Sequence, residues 1–329
     1  MDSPQYAEAT SPFERFLLSS SNDLLNAFFA VWPVDLIFRI RRLSTVVFCA
    51  IEAYRVRTWH PIHVLQPFFS DSFRSFLNTL DKCDGVVSGS QVVQLLQRRP
   101  FTDRGSDLDI FIPRHGLLAM GRWLKRNGYV YQASTRKHVL FDVEAIRSAS
   151  IALGFNHDGS DVYPTSREAP KFSTYHFIRR FESPDTVFFE EAKYFLVQLV
   201  VVDTQPVQYI INNFHSSKRF NAISLCSVRL LAMDWKAGVM NWFTGKHIVS
   251  LFPRSTFVDR ISYSCRDTNR SGKAWIRKYS ERGFEVVVGG GIPSKASKEI
   301  EAWDRYVGDA FTWVMPIGVP GINSFVLRT

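Results

Sequence analysis

VVSGSQVVQLLQRRPFTDRGSDLDIFIP, residues 86–113, decides the reading of the chain. Val86 and Val87 begin a short apolar strand that runs into Ser88-Gly89-Ser90. An amphipathic stretch follows, with Val92, Val93, Leu95 and Leu96 as its apolar positions. After a polar turn comes a second strand, Asp107 to Ile112, in which two carboxylates alternate with Leu108 and Ile110. Side chains on a strand repeat every two residues, so Asp107 and Asp109 share a face, about 6–7 Å apart along the strand. Like charges held that close repel unless a cation sits between them, and oxygen-only ligands favour a hard ion such as Mg²⁺. Upstream, Gly89 lets the backbone approach a ligand closely. Ser90 is placed to cap the next helix and to offer its hydroxyl and amide to a phosphate. A phosphate cradle beside a paired-carboxylate metal site makes a workable nucleotide site.

The order of these pieces resembles the nucleotidyltransferase superfamily: an apolar strand, Gly89-Ser90, a helix, and sixteen residues later Asp107-Leu108-Asp109 on the next strand. The resemblance implies that Gly89 and Ser90 hold the triphosphate of an NTP, that Asp107 and Asp109 bind catalytic Mg²⁺ (or Mn²⁺), and that a third carboxylate on a later strand completes the site. Where the family often has Phe-Asp after a strand and a short helix, this chain reads Phe214-His215. A neutral imidazole adds no negative charge and suits Zn²⁺ or Mn²⁺ better than Mg²⁺. Two-metal phosphoryl transfer needs charge neutralised on both the attacking and the leaving oxygens. Three readings follow. His215 acts as base or ligand in a modified site; Asp203, at the end of the preceding strand, fills the vacancy as a metal ligand; or the site binds nucleotide, or nothing, without turnover. Lys218 and Arg219 lie just beyond, within reach of a γ-phosphate or an acceptor backbone.

Composition sets the bounds. The 329 residues are 46% hydrophobic, with 28 Phe, which is enough for a real core. No apolar run is long enough to span a bilayer, and the start, MDSPQYAEATSPFERF, is acidic and polar, unlike a signal peptide. Cys49, Cys83, Cys226 and Cys265 show no metal-type spacing and read as reduced core thiols of a cytoplasmic or nuclear protein. The net charge of +9 favours polyanions such as RNA, or simply nucleotides.

Residues 1–12 read as a disordered leader and residues 13–80 as helical. Ser21-Asn22-Asp23 opens one helix, Pro33 closes it and opens another, and Val46 to Trp59 forms a third. The pieces SSSNDLLNAFF, WPVDLIFRIRRLS and VVFCAIEAY resemble an F-box, although the usual Leu-Pro opening is missing. F-box-like helices followed by Ser-Gly-Ser and Ser-Asp-Leu-Asp are similar to a group of proteins from mushroom-forming fungi, a likeness that carries no activity with it. The plainer expectation is that these helices pack on the following domain and bury one of its faces. His60 to Phe69 reads as a linker into a helix from Ser70 to Leu80.

Beyond the acids, Gly116 to Lys125 reads as a helix stopped by Asn127-Gly128, and Tyr129 to Tyr131 as a strand. Residues 154–160 and 164–170 read as a long loop. Lys193 to Val202 is the clearest central strand, its near-continuous apolar run implying burial on both faces. Residues 221–243 read as mostly helical, and Lys273 to Arg282 as a basic helix whose Trp275 and Tyr279 are available for stacking on an acceptor strand.

The expectation is therefore an α/β (α+β) protein: a small F-box-like helical part, then a nucleotidyltransferase-like mixed sheet with flanking helices over residues 81–329. The leading function is metal-dependent transfer of a nucleotidyl group from an NTP to an acceptor hydroxyl on RNA or protein, with a degenerate third carboxylate position. The alternative is a catalytically silent fold serving as the recognition domain of an F-box-type ubiquitin-ligase adaptor that binds a Skp-type partner.

Overall fold

The computed structural model describes residues 10–98, 107–152, 172–180, 194–213, 240–264, 270–288, 298–301 and 306–318. Six helices come first: α1 (Pro12–Ser19), α2 (Asn22–Ala30), α3 (Val34–Ile40), α4 (Thr45–Thr58), α5 (Ile62–Phe69) and α6 (Phe73–Lys82). Their starts are chemically marked. Ser11 and Glu14 form a reciprocal capping box on α1, with Pro12 in its first turn. The Ser21 and Ser44 side chains accept from the Leu24 and Val47 amides to cap α2 and α4. Pro33 stands at the start of α3, as its fixed φ favours.

Residues 62–69 are a helix rather than a linker. Pro61 and Pro67 argued for a linker, yet Val64, Leu65, Phe68 and Phe69 recur at helical spacing and all are buried. Burying four such side chains, at roughly 1.5–3 kcal/mol each, outweighs the ~3 kcal/mol that one interior proline costs.

Next come β1 (Val86–Ser88), α7 (Ser90–Gln97), β2 (Leu108–Pro113), α8 (Arg114–Arg126), β3 (Val130–Gln132), α9 (Phe141–Ala152), β4 (Phe172–Arg180), β5 (Tyr194–Val202) and α10 (Pro206–Asn213). The chain continues through β6 (Asn241–Phe243), β7 (His247–Ser250), β8 (Ile261–Ser264), α11 (Arg270–Glu281), β9 (Glu285–Val288), α12 (Lys298–Glu301) and β10 (Trp313–Pro316). Eight strands form one mixed sheet in the order β10-β7-β6-β1-β2-β5-β4-β3, and β8 and β9 form a separate parallel pair. In the large sheet β2 and β5 run parallel, whereas β1 pairs antiparallel with both β2 and β6. The protein is thus of the mixed α+β class, with a helical N-terminal region. Among the described residues no helix is long and apolar enough to cross a membrane.

Strand alternation divides the sheet's side chains between two cores. Val87, Leu108, Ile110, Ile112, Val197, Leu199 and Val201 join one core. Val86, Phe111, Val200 and Val202 join another, with Tyr209 and Ile210 of α10. The first core also takes in Leu17, Phe29, Ile37, Ile51, Phe76 and Leu80 of the N-terminal helices. The boundary read near residue 80 is therefore a change of secondary structure through which one core continues. Arg98 ties the two parts further. Held at φ 58° at the end of α7, it donates to the Phe29 and Trp32 carbonyls and to Tyr54 Oη at 2.8–3.0 Å. Trp59 Nε1 donates to the Leu96 carbonyl at 3.0 Å.

Three further readings change. Phe172–Arg180, to which the sequence assigns no element, is a strand flanked by β3 and β5. Trp242, assigned to a helix, lies on β6 and is 1% exposed. Cys49 is exposed rather than in the core, while Cys83 is buried as expected. Cys226, Cys265, most of the 221–243 segment and the loops at 154–160 and 164–170 lie outside the described residues.

Candidate functional site: a carboxylate pair beside a glycine turn

β1 ends at Ser88, which lies opposite Asp109 in the antiparallel register. The chain then turns at Gly89, with φ 81°, into α7. That angle lies in the left-handed region that glycine tolerates without strain. Space demands glycine as well, because a Cβ here would stand 2.5 Å from Asp109 Oδ2. The turn and the acid are in direct contact, which is the juxtaposition the sequence reading required. β2 starts at Leu108, so Asp107 just precedes it. Leu108, Ile110 and Ile112 fill the large core, which leaves Asp107 and Asp109 on the opposite face, together with Phe111.

Asp109 is half-buried. Burial, and then the neighbouring Asp107 charge, push its carboxyl up to about 7, with Lys278 pulling the other way. Such a carboxylate binds a proton or a cation readily. On β5, the strand alongside, Gln198 is the register partner of Asp109 and donates from Nε2 to Asp107 Oδ2 at 2.7 Å. The later strand therefore presents an amide to the acids rather than a carboxylate.

Ser90 is the first residue of α7, not its cap. Its hydroxyl, buried at 8% exposure, accepts from Arg282 Nη1 at 2.9 Å. Arg282 follows α11, whose Tyr279 is buried against Val93 of α7 and Phe284. Burial pushes the Tyr279 hydroxyl up to about 12, and Arg282, Asp109 and Ser90 all act on it. Tyr279 is therefore part of the wall and has no free face on which an acceptor base could stack. Lys278 of α11 acts on Asp109, and Arg282 just beyond the helix bonds Ser90, two contacts that local spacing does not announce.

The remaining assignments separate. Asp203 follows the last residue of β5 and is ion-paired with Arg114, which also donates to Ser148 Oγ at 3.0 Å. Val202 is level with Pro113, whereas Gln198 is level with Asp109. Asp203 thus stands five residues beyond the acids, about 16 Å away at the ~3.3 Å rise of a parallel strand. It is not a ligand to a cation held by Asp107 and Asp109. His215 and Lys218 lie outside the described residues. Arg179 packs over the Tyr129 ring at 5.1 Å and the Phe195 ring at 5.6 Å.

Among the described residues no group of three or more His, Cys, Asp and Glu side chains is arranged to hold a metal. Asp107 and Asp109 are two acids placed together, with Lys278 the cation that acts on Asp109. No family model, curated protein or solved structure matches the chain.

Proposed function

We propose that the site formed by Gly89-Ser90 and Asp107/Asp109 binds an NTP with a divalent cation, and that the protein is a metal-dependent nucleotidyltransferase acting on an acceptor hydroxyl. The observation that carries this reading is the contact of the Gly89 turn with Asp109, at the N-terminus of α7. Asp107 and Asp109 would hold Mg²⁺ or Mn²⁺, which when bound neutralises phosphate charge and polarises the phosphorus–oxygen bond. Gln198 orients Asp107 through its hydrogen bond. Arg282 donates to Ser90 and is placed to transfer that bond to a phosphate oxygen. His215 is the residue this reading nominates as base or third ligand, and Lys218 as a phosphate contact.

The test is thermal stabilisation by each NTP with Mg²⁺ or Mn²⁺. Metal-dependent stabilisation of the wild type that is lost in Asp107→Ala/Asp109→Ala supports the site, and labelled nucleotide incorporation that falls about 10²–10⁴-fold in His215→Ala supports His215 as base. Equal stabilisation of wild type and double variant would reject it.

A second reading has its own observation. Leu18, Leu24, Val31, Leu36 and Leu43 are exposed by 37–79% on the first three helices and their flanks. Apolar residues left in water there suit a protein partner, and favour a silent fold recruited through a Skp-type adaptor. Capture of such an adaptor, with no response to any nucleotide, would replace the first reading with this one.

A further inference from the structure

We propose that a second cleft, at the β10 edge of the sheet, binds a planar aromatic anion: a ring carrying a phosphate or a carboxylate. The cleft measures about 1050 Å³ and lies between α3, the 253–263 segment, α12 and residues 310–313. That is ample for a ligand of nucleoside size. In the sheet β10 stands four places from β2, roughly 19 Å at the usual ~4.8 Å strand spacing. The proposal is therefore independent of the carboxylate site.

Its floor is aromatic and held open. Phe38 and Trp313 meet at 5.2 Å, and Phe311 stands at 38% exposure beside them. Each floor ring is braced from behind. Trp59 stacks on Phe38 at 5.7 Å and 16°, and Phe257 stacks on Trp313 at 6.1 Å and 20°. Phe38 and Trp313, tilted 50° to each other and each half-buried, leave apolar ring surface in the cleft, where a further ring is favoured.

The charges around the floor are uneven. Glu299 is 2% exposed and spends its carboxylate on the backbone amides of Arg254 and Ser255, fixing one wall. Asp35 pairs with Arg39 at 2.8 Å, and Asp259 is only loosely paired with Arg254 at 3.8 Å. Arg42 and Lys298 also line the cleft, and neither has an acidic partner among the described residues. An anion attached to the ring would supply one. Arg42 offers the planar fork that suits phosphate or carboxylate, and Lys298 a point charge.

The experiment is calorimetric titration of the full chain, in EDTA, with AMP, with indole-3-acetate and with uncharged adenosine. Saturable binding of one or both anions, tighter than adenosine, is expected, and the tighter anion tells phosphate from carboxylate. Arg42→Glu/Lys298→Glu should weaken binding by about tenfold or more by reversing two charges on the ligand's anionic group. Ala310→Trp, which fills the exposed mouth without touching a charge, should abolish it and stands in if the charge-reversed protein does not fold. Asp107→Ala/Asp109→Ala should leave it unchanged. Adenosine binding as well as AMP, no saturable binding of either anion, or loss of binding only in the Asp107/Asp109 variant would overturn the proposal.

Discussion

Gly89 and Asp109 are the two residues whose chemistry is most constrained. A side chain at Gly89 meets both an unfavourable φ and the Asp109 carboxylate 2.5 Å away. Gly89→Ala should therefore destabilise the protein by about 1–3 kcal/mol and weaken cation binding, since Asp109 must move aside. Urea denaturation and Mn²⁺ titration would read both effects. Asp109 makes a second prediction. Its ordinary value is 3.8, and the fold lifts it to about 7. Between those values the folded state binds more protons than the unfolded chain, so stability falls as pH rises from about 4 to 7 and is level above. The loss is at most about 4 kcal/mol in EDTA. Asp109→Asn should flatten that slope, and saturating Mn²⁺ at pH 8 should restore wild-type stability; an unchanged slope in the variant would mean Asp109 is not the titrating group. At this scale the sequence was informative. Period-two alternation placed both acids on one face, and Gly89 was marked for close approach to a ligand, whereas the structure shows that it makes room for Asp109.

Among the elements, the β1–α7–β2 unit was legible because it is local: strand, helix and strand lie within 28 consecutive residues. What lies across from it was not. β5 was read correctly as a buried strand, yet its register against β2, which brings Gln198 level with Asp109, follows from parallel pairing that no periodicity encodes. The Arg282–Ser90 bond spans 192 residues and was equally invisible. Asp203, offered beside His215 for the third position, therefore has the right chemistry at the wrong end of β5. A prediction follows for β5 itself. Gln198→Asp places a third acid level with the pair, so it should lower stability in EDTA and raise the gain on adding Mg²⁺ above that of the wild type. Differential scanning fluorimetry with and without the ion measures both. A gain no larger than the wild type's would show that Gln198 does not face the cation.

For the whole molecule, the consequential finding is that the N-terminal helices and the sheet share one core. The pattern announced helices over residues 13–80, and the plainer of its two readings had them pack on the following domain and bury one of its faces. Only the three-dimensional arrangement shows Leu80, Cys83, Val87, Val92 and Leu96 in the same cluster as Phe29 and Ile51. Removing residues 1–84 should leave a chain that does not fold, because Val92, Leu95 and Leu96 lose their cover along with the Arg98 and Trp59 hydrogen bonds. The intact protein should unfold in one calorimetric transition, with equal van 't Hoff and calorimetric enthalpies. Two resolved transitions would contradict a common core.

The pairing of β1 with both β2 and β6 also bears on how the protein is made. On the ribosome, α1 to α6 can gather as soon as they emerge, since their partners are close in the chain. The strands around Asp109 wait for residues 194–202 and 241–243 to be synthesised, and such distant closures are entropically slow. The carboxylate pocket is consequently among the last places to take shape, and a ligand that favours it acts on finished chains rather than nascent ones.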